Sequence, residues 1–109
     1  MILEKRLKAN ISINTSGDNA VIAAPGAGKY IVIDHINFVT AGAVNVQFKD
    51  GSTVYGGLYT LTTNQGFVLE NIYQDEDGII TLSENAAFNI NLSGNVLCGG
   101  FIRYRIINQ

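Results

Sequence analysis

Four places in the chain carry residue types that do chemistry in other proteins. The first is "APGAGKYIVID", Ala24 to Asp34, where a lysine directly follows the second of two close glycines. A phosphate-binding loop needs a glycine five positions before its Gly-Lys pair and a Ser or Thr directly after it. Here Ala23 and Tyr30 occupy those two positions. A phosphate loop also opens a helix, whose first amides hold the anion, whereas "KYIVIDHINFVT" is β-branched and aromatic. The segment therefore reads as a turn entering a long strand. The second place, Asp75-Glu76-Asp77-Gly78, suggests calcium. Counting back from Gly78 puts Tyr73 at the first ligand position of a calcium loop, so that pattern fails. A solvated acidic hairpin remains, or an irregular cation site at a subunit contact.

The third is Asp34-His35. Neighbours in a strand leave opposite faces of the sheet, so the two do not form a catalytic pair there, and His35 reads as a hydrogen-bonded sheet residue. The fourth is Cys98, the single cysteine, in the strand-like "NVLCGGFI". With a single histidine in the chain to activate it, this thiol reads as buried and structural. No nucleophile–base pair, metal cluster or cofactor loop is left. The chain is expected not to be an enzyme and to hold no cofactor or metal.

The elements that must position these residues are strands. In "AVNVQFK", Val44, Val46 and Phe48 oppose Asn45, Gln47 and Lys49. In "AFNINLS", Phe88, Ile90 and Leu92 oppose Asn89, Asn91 and Ser93. In "FIRYRII", Ile102, Tyr104 and Ile106 oppose Arg103 and Arg105, and "KANISIN" alternates in the same way. A period of two is the mark of half-buried antiparallel strands. "NAVIAA", "KYIVIDHINFVT", "STVYGGLYTL", "GFVLE" and "GIITL" are less regular strands. Turn formers fill the gaps, and "KDGS" suggests a hairpin with a type I′ turn at Asp50-Gly51. Eight or nine strands at roughly 8–12-residue spacing predict an all-β, antiparallel β-sandwich. "AGAVNVQF" and "NAAFNINL" echo each other weakly. Residues 1–14 read as an N-terminal arm or a first strand, and 15–109 as one domain.

Composition narrows the function. The chain has 109 residues, 15 % of them charged, and a formal net charge of -2. That balance gives no electrostatic reason to bind nucleic acid or an anionic membrane. No apolar run approaches the roughly 20 residues of a spanning helix. The start, "MILEKRLKAN", is interrupted by charges, unlike a signal peptide. The polar strand faces carry Asn, Gln, Thr and Ser more than Lys and Glu, which suits a wet contact between copies, a sugar surface or simply a solvated polar sheet. Tyr55 and Tyr59 lie four apart in one strand and so share a face, as interface anchors or sugar platforms.

The pieces "GDNAVIAAPGAGKYIVI", "GAVNVQFKDGS", "NQGFVLE", "ENAAFNINLSGNV" and "GGFIRYRI", within Ser16 to Ile106, resemble small β-sandwich proteins among the virion structural proteins of tailed bacteriophages. The resemblance implies a jelly-roll-like sandwich that assembles as a homo-oligomer, a homotrimer in the first instance. It implies a decoration or cement protein on the capsid surface, made in the bacterial host cytoplasm, with the phage major capsid protein as its partner. A fibre or tail module that binds a carbohydrate or receptor is the alternative. The charged start lies outside the matching pieces. Leu3, Lys5, Arg6, Leu7 and Lys8 are the candidate capsid-binding or subunit-binding element there, as an extended arm able to add a strand to a neighbour's open edge. Tyr55 and Tyr59 complete the candidate interface.

Overall fold

The computed structural model describes residues 5–109. Leu3 and its neighbours in 1–4 lie outside the described residues. Nine strands follow one another: β1 (Leu7–Ile13), β2 (Gly17–Ile22), β3 (Lys29–Thr40), β4 (Val44–Asp50), β5 (Thr53–Leu61), β6 (Gly66–Glu70), β7 (Ile80–Thr81), β8 (Phe88–Leu92) and β9 (Cys98–Asn108). They form two antiparallel sheets. Sheet A has the order β1-β9-β3-β6, with β7 also on β3, and sheet B the order β2-β8-β4-β5. The pairing is nested, with β1 on β9, β2 on β8, β3 on β6 and β4 on β5. Cross-pairings β3–β9 and β4–β8 join the nested pairs within each sheet.

The chain is thus an antiparallel β-sandwich, as the period-two pattern predicts. Val44, Val46 and Phe48 of β4 and Phe88, Ile90 and Leu92 of β8 fill one side of the core, and Ile31, Ile33, Ile36, Phe38 and Ile102 the other. An aromatic layer ties the sheets together. Phe67 of β6 stacks on Phe38 at 4.9 Å and meets Phe48 and Tyr59 of sheet B edge-on at 5.7 and 4.7 Å. Offset and edge-on rings at these spacings add to the burial itself. The two echoing segments lie side by side as β4 and β8, with Phe48 opposite Ile90. Their likeness is that of two neighbouring central strands filling one layer.

Local irregularities interrupt the pairing. In β3, Ile33 pairs with Tyr104 and His35 with Arg103, which leaves Asp34 as an extra residue. This bulge reverses the alternation, so that Ile31 and Ile33 face the core before it, and Ile36 and Phe38 after it. In β5, Gly56, Gly57 and Leu58 lie between Tyr55, opposite Phe48, and Tyr59, opposite Val46. The β4–β5 turn is also shifted by one residue from its expected place. Asp50 pairs with Thr53, so the loop is Gly51-Ser52, with positive φ at Gly51 alone. That is the pattern of a type II′ turn, not the type I′ turn expected at Asp50-Gly51.

Gly100 sits where β9 passes between β1 and β3, opposite Ile11 and Phe38. A Cβ there would overlap the backbone carbonyl of Asn37 and the Cα of Phe38. Gly100→Ala is expected to cost about 3 kcal/mol through forced backbone shifts. Gly57→Ala, which points into open space, is expected to stay within about 0.5 kcal/mol of the parent. Urea unfolding of the two variants checks this, and equal midpoints would refute the steric account.

Candidate interaction surface

Arg105 lies on the outer face of sheet A, the face its alternation with Tyr104 requires, yet it is only 1 % exposed. Asp34, also 1 % exposed, points to the same side, two residues beyond Val32, which pairs with Arg105. Arg105 Nε and Nη2 then donate to Asp34 Oδ2 and Oδ1 at 2.7 and 3.0 Å, a two-pronged pair. Arg6 approaches the same carboxylate at 3.7 Å.

The segment after β6 closes over this pair. Asn71 donates from Nδ2 to Asp34 Oδ1 at 2.9 Å and to the Asp75 carbonyl at 2.7 Å. Its Oδ1 accepts from Asp75 N at 2.9 Å. Arg105 Nη2 donates to the Glu76 carbonyl at 2.9 Å. Gly78 N bonds back to Asp75 O and Ile79 N to Ile33 O, which returns the chain to β3. Gly78 has φ 64°, and a Cβ there would strike the Ile33 carbonyl. Both ends of the loop are therefore fixed by buried polar contacts. Its outer residues are bare, with Ile72 70 % and Tyr73 89 % exposed. Asp75, Glu76 and Asp77 are exposed beside them.

Cross-strand register sets one row across this face: Lys8 opposite Arg103, Arg103 opposite His35, and His35 opposite Glu70. His35 Nδ1 meets Glu70 Oε2, and its ring packs on Phe101 at 5.2 Å. Asn37 Oδ1 accepts from Phe101 N at 3.3 Å, which directs its amide nitrogen at His35 Nε2, 2.7 Å away. Asp34 and His35 share the face because of the bulge, contrary to strict alternation, but each is bonded to different partners. Further along the face Val39 and Val68 lie exposed.

The other candidates find these places. Lys5 and Arg6 precede β1, and Leu7 and Lys8 belong to it. Leu7–Ile13 pairs throughout with the chain's own β9. Tyr59 packs inward against Phe48 and Phe67, while Tyr55, opposite Phe48 in the register, is exposed. In "APGAG", Gly28 N donates to Glu84 Oε2 at 2.8 Å and Gly26 N to Asn85 Oδ1 at 2.9 Å. The loop's amides hold a carboxylate and an amide of this chain. On the outer face of sheet B, Asp18 accepts from Asn91 at 2.6 Å and from Lys49 at 3.3 Å. The Asn91 hydrogen bond is the main cause holding the Asp18 carboxyl below its ordinary value. Cys98 is buried, and burial pushes its thiol up. Among the described residues, no three His, Cys, Asp or Glu side chains form a group that could hold a metal ion, and no helix is long and apolar enough to cross a membrane.

Ile72 and Tyr73 escaped the sequence reading because "ENIYQDEDG" has no alternation, and its acidic residues drew attention to cations. The usable signal was two large apolar residues in a stretch too polar to be a strand.

Comparison with family models, curated proteins and solved structures finds no match to this chain.

Removing one partner of a buried pair leaves the other charge uncompensated, at roughly 3–5 kcal/mol. Arg105→Met is expected to destabilise by that amount, and Asp34→Leu together with Arg105→Met by clearly less than the two single changes summed. A double-mutant cycle by urea unfolding measures this coupling, and additive effects would sink the ion-pair account. Cys98 is expected to resist an aromatic disulfide reagent at pH 8 until denaturant opens the sandwich. Labelling of the native protein as fast as that of a free thiol would contradict its burial.

Proposed function

We propose that this chain is a non-enzymatic structural protein of a tailed-bacteriophage virion. It works as a homo-oligomeric decoration or cement protein on the capsid surface. The observation that carries the reading is how the side chains are divided. The buried charged groups are committed to holding the sandwich and its loop, while Ile72, Tyr73, Val39 and Val68 are presented to the outside on fixed backbone. Large apolar side chains held in the open are what an assembling surface needs.

Two further points support it. The nested pairing of β1 with β9, β2 with β8, β3 with β6 and β4 with β5 is compatible with a jelly-roll winding. The resemblance of "GDNAVIAAPGAGKYIVI" through "GGFIRYRI" to small phage virion sandwiches points the same way. The mechanism is mechanical. Copies that bind only the assembled lattice stabilise that lattice by mass action. The alternative, a sugar- or receptor-binding fibre module, draws less from the surface. Tyr59 has both neighbours of its ring inside the sandwich. The amides of Asn89 and Asn91 are already bonded to Gly51 O and Asp18.

Light scattering coupled to size exclusion tests the reading. The expected result at high micromolar concentration is a species about three times the chain mass of 11.7 kDa. A monomer under those conditions, together with no binding to phage heads, overturns it.

A further inference from the structure

The outer face of sheet A carries charges of both signs. Toward the β1 edge, Lys5, Lys8 and Arg103 are exposed. Glu70 is exposed on β6 at the opposite edge, and the loop after β6, which folds back over Arg105 of β9, exposes Asp75, Glu76 and Asp77. The register row runs from Lys8 through Arg103 and His35 to Glu70, three interstrand steps. At about 4.8 Å per step the two ends lie about 14 Å apart. That is beyond the screening length of about 8 Å at physiological ionic strength. Lys8 and Glu70 are therefore screened from one another, and among the described residues none of Lys5, Lys8 and Arg103 forms an ion pair with Glu70, Asp75, Glu76 or Asp77 within one molecule.

The acidic loop also carries the most exposed large apolar side chains of the described residues, Tyr73 and Ile72. They do not hang on a slack loop. Asn71 and Asp75 bond each other in both directions, and Arg105 holds the Glu76 carbonyl. A backbone fixed before contact loses little conformational freedom on binding. A tyrosine with an acidic surround, held rigidly, fits a surface with an apolar floor and a basic rim. The β1 edge of the same face has that composition. Lys8 lies over the Phe101 ring, with its ammonium 5.9 Å from the centroid, and Arg103 stands opposite Lys8.

We infer that the Asn71–Gly78 loop of one copy docks on the β1 edge of a second copy. Tyr73 and Ile72 form the apolar anchor, and Lys5, Lys8 and Arg103 are the charge partners of Asp75, Glu76 and Asp77. The two surfaces are different, so the contact is head-to-tail, and repetition with a closing rotation gives a ring. This rests on the proposed self-assembly and assigns its interface. Lys8 on an edge strand blocks strand addition by a neighbour, so the contact is made by side chains.

Sedimentation velocity at high micromolar concentration tests it with three proteins: the parent, Ile72→Ser with Tyr73→Ala, and Lys8→Glu with Arg103→Glu. All four altered side chains are exposed, and far-UV circular dichroism confirms that each variant keeps its fold. The parent is expected to be a closed oligomer larger than a dimer. Each double variant is expected to be a monomer, with association weakened at least about tenfold, as for loss of an anchor residue. An equimolar mixture of the two variants keeps one intact loop facing one intact edge and is expected to form a 1:1 heterodimer. A parent oligomer unchanged in both variants overturns this interface and leaves self-assembly standing. A parent that stops at a dimer, or a mixture that stays monomeric, overturns the head-to-tail geometry. A monomeric parent overturns both this interface and the self-assembly it rests on. Where the charge-reversed variant loses its fold, the loop variant alone decides, since an unchanged oligomer still overturns the inference.

Discussion

The Asp34–Arg105 pair, buried at both ends, is the constraint around which sheet A is arranged. Burying two charges is costly, and their attraction recovers that cost only when every remaining polar atom is bonded. Here both carboxylate oxygens and the guanidinium are engaged by Arg105, Asn71 and the backbone carbonyls of the loop. No buried side-chain nitrogen or oxygen among the described residues lacks a partner. Asp34 faces outward in step with Val32, the residue opposite Arg105. The extra residue that β3 carries here turns His35 outward as well, and without it the inward isoleucines on one side would be misplaced.

The pair therefore links register to surface. The bulge that lets Ile33 and Ile36 both face the core also leaves Asp34 and His35 side by side on the outer face. Asp34 then fixes Arg105, and Arg105 with Asn71 fixes the loop that presents Tyr73. A change at the center of β3 is felt at the most exposed tyrosine of the described chain through a sequence of short polar contacts. Such a chain of contacts gives specificity of arrangement more than gross stability, since an apolar pair in the same volume would do as well for stability alone.

Much of this fold was legible in the sequence, for a physical reason. Strands with one wet face must alternate, so "AVNVQFK", "AFNINLS" and "KANISIN" each identified their buried side chains correctly. The same rule put Arg105 on the outer face of "FIRYRII", but alternation describes a lone sheet and says nothing of what lies above it. Long-range burial by the 71–78 loop was therefore invisible. The bulge at Asp34 was hidden because "IVIDHI" is apolar on both sides of it, and a reversed phase in a doubly buried stretch leaves no trace. Tyr59 shows a related limit. Its spacing from Tyr55 does not say which side it takes, and only its place opposite Val46 and its contacts with Phe48 and Phe67 turn it inward.

The nested pairing has a consequence for how the molecule comes into being. β9, the last of the nine strands, lies between β1 and β3 in sheet A. During synthesis from the first residue onward, roughly ninety residues must be made before β1 meets its partner, so sheet A cannot close progressively as its strands emerge. Until Cys98–Asn108 is available, the neighbouring edges of β1 and β3 both stand open, and Arg105 is not yet there to receive the Asp34 carboxylate. Closure of the sheet and fixing of the loop then arrive in one late step. The surface that presents Tyr73 is therefore absent from an unfinished chain and is complete only once β9 is in place.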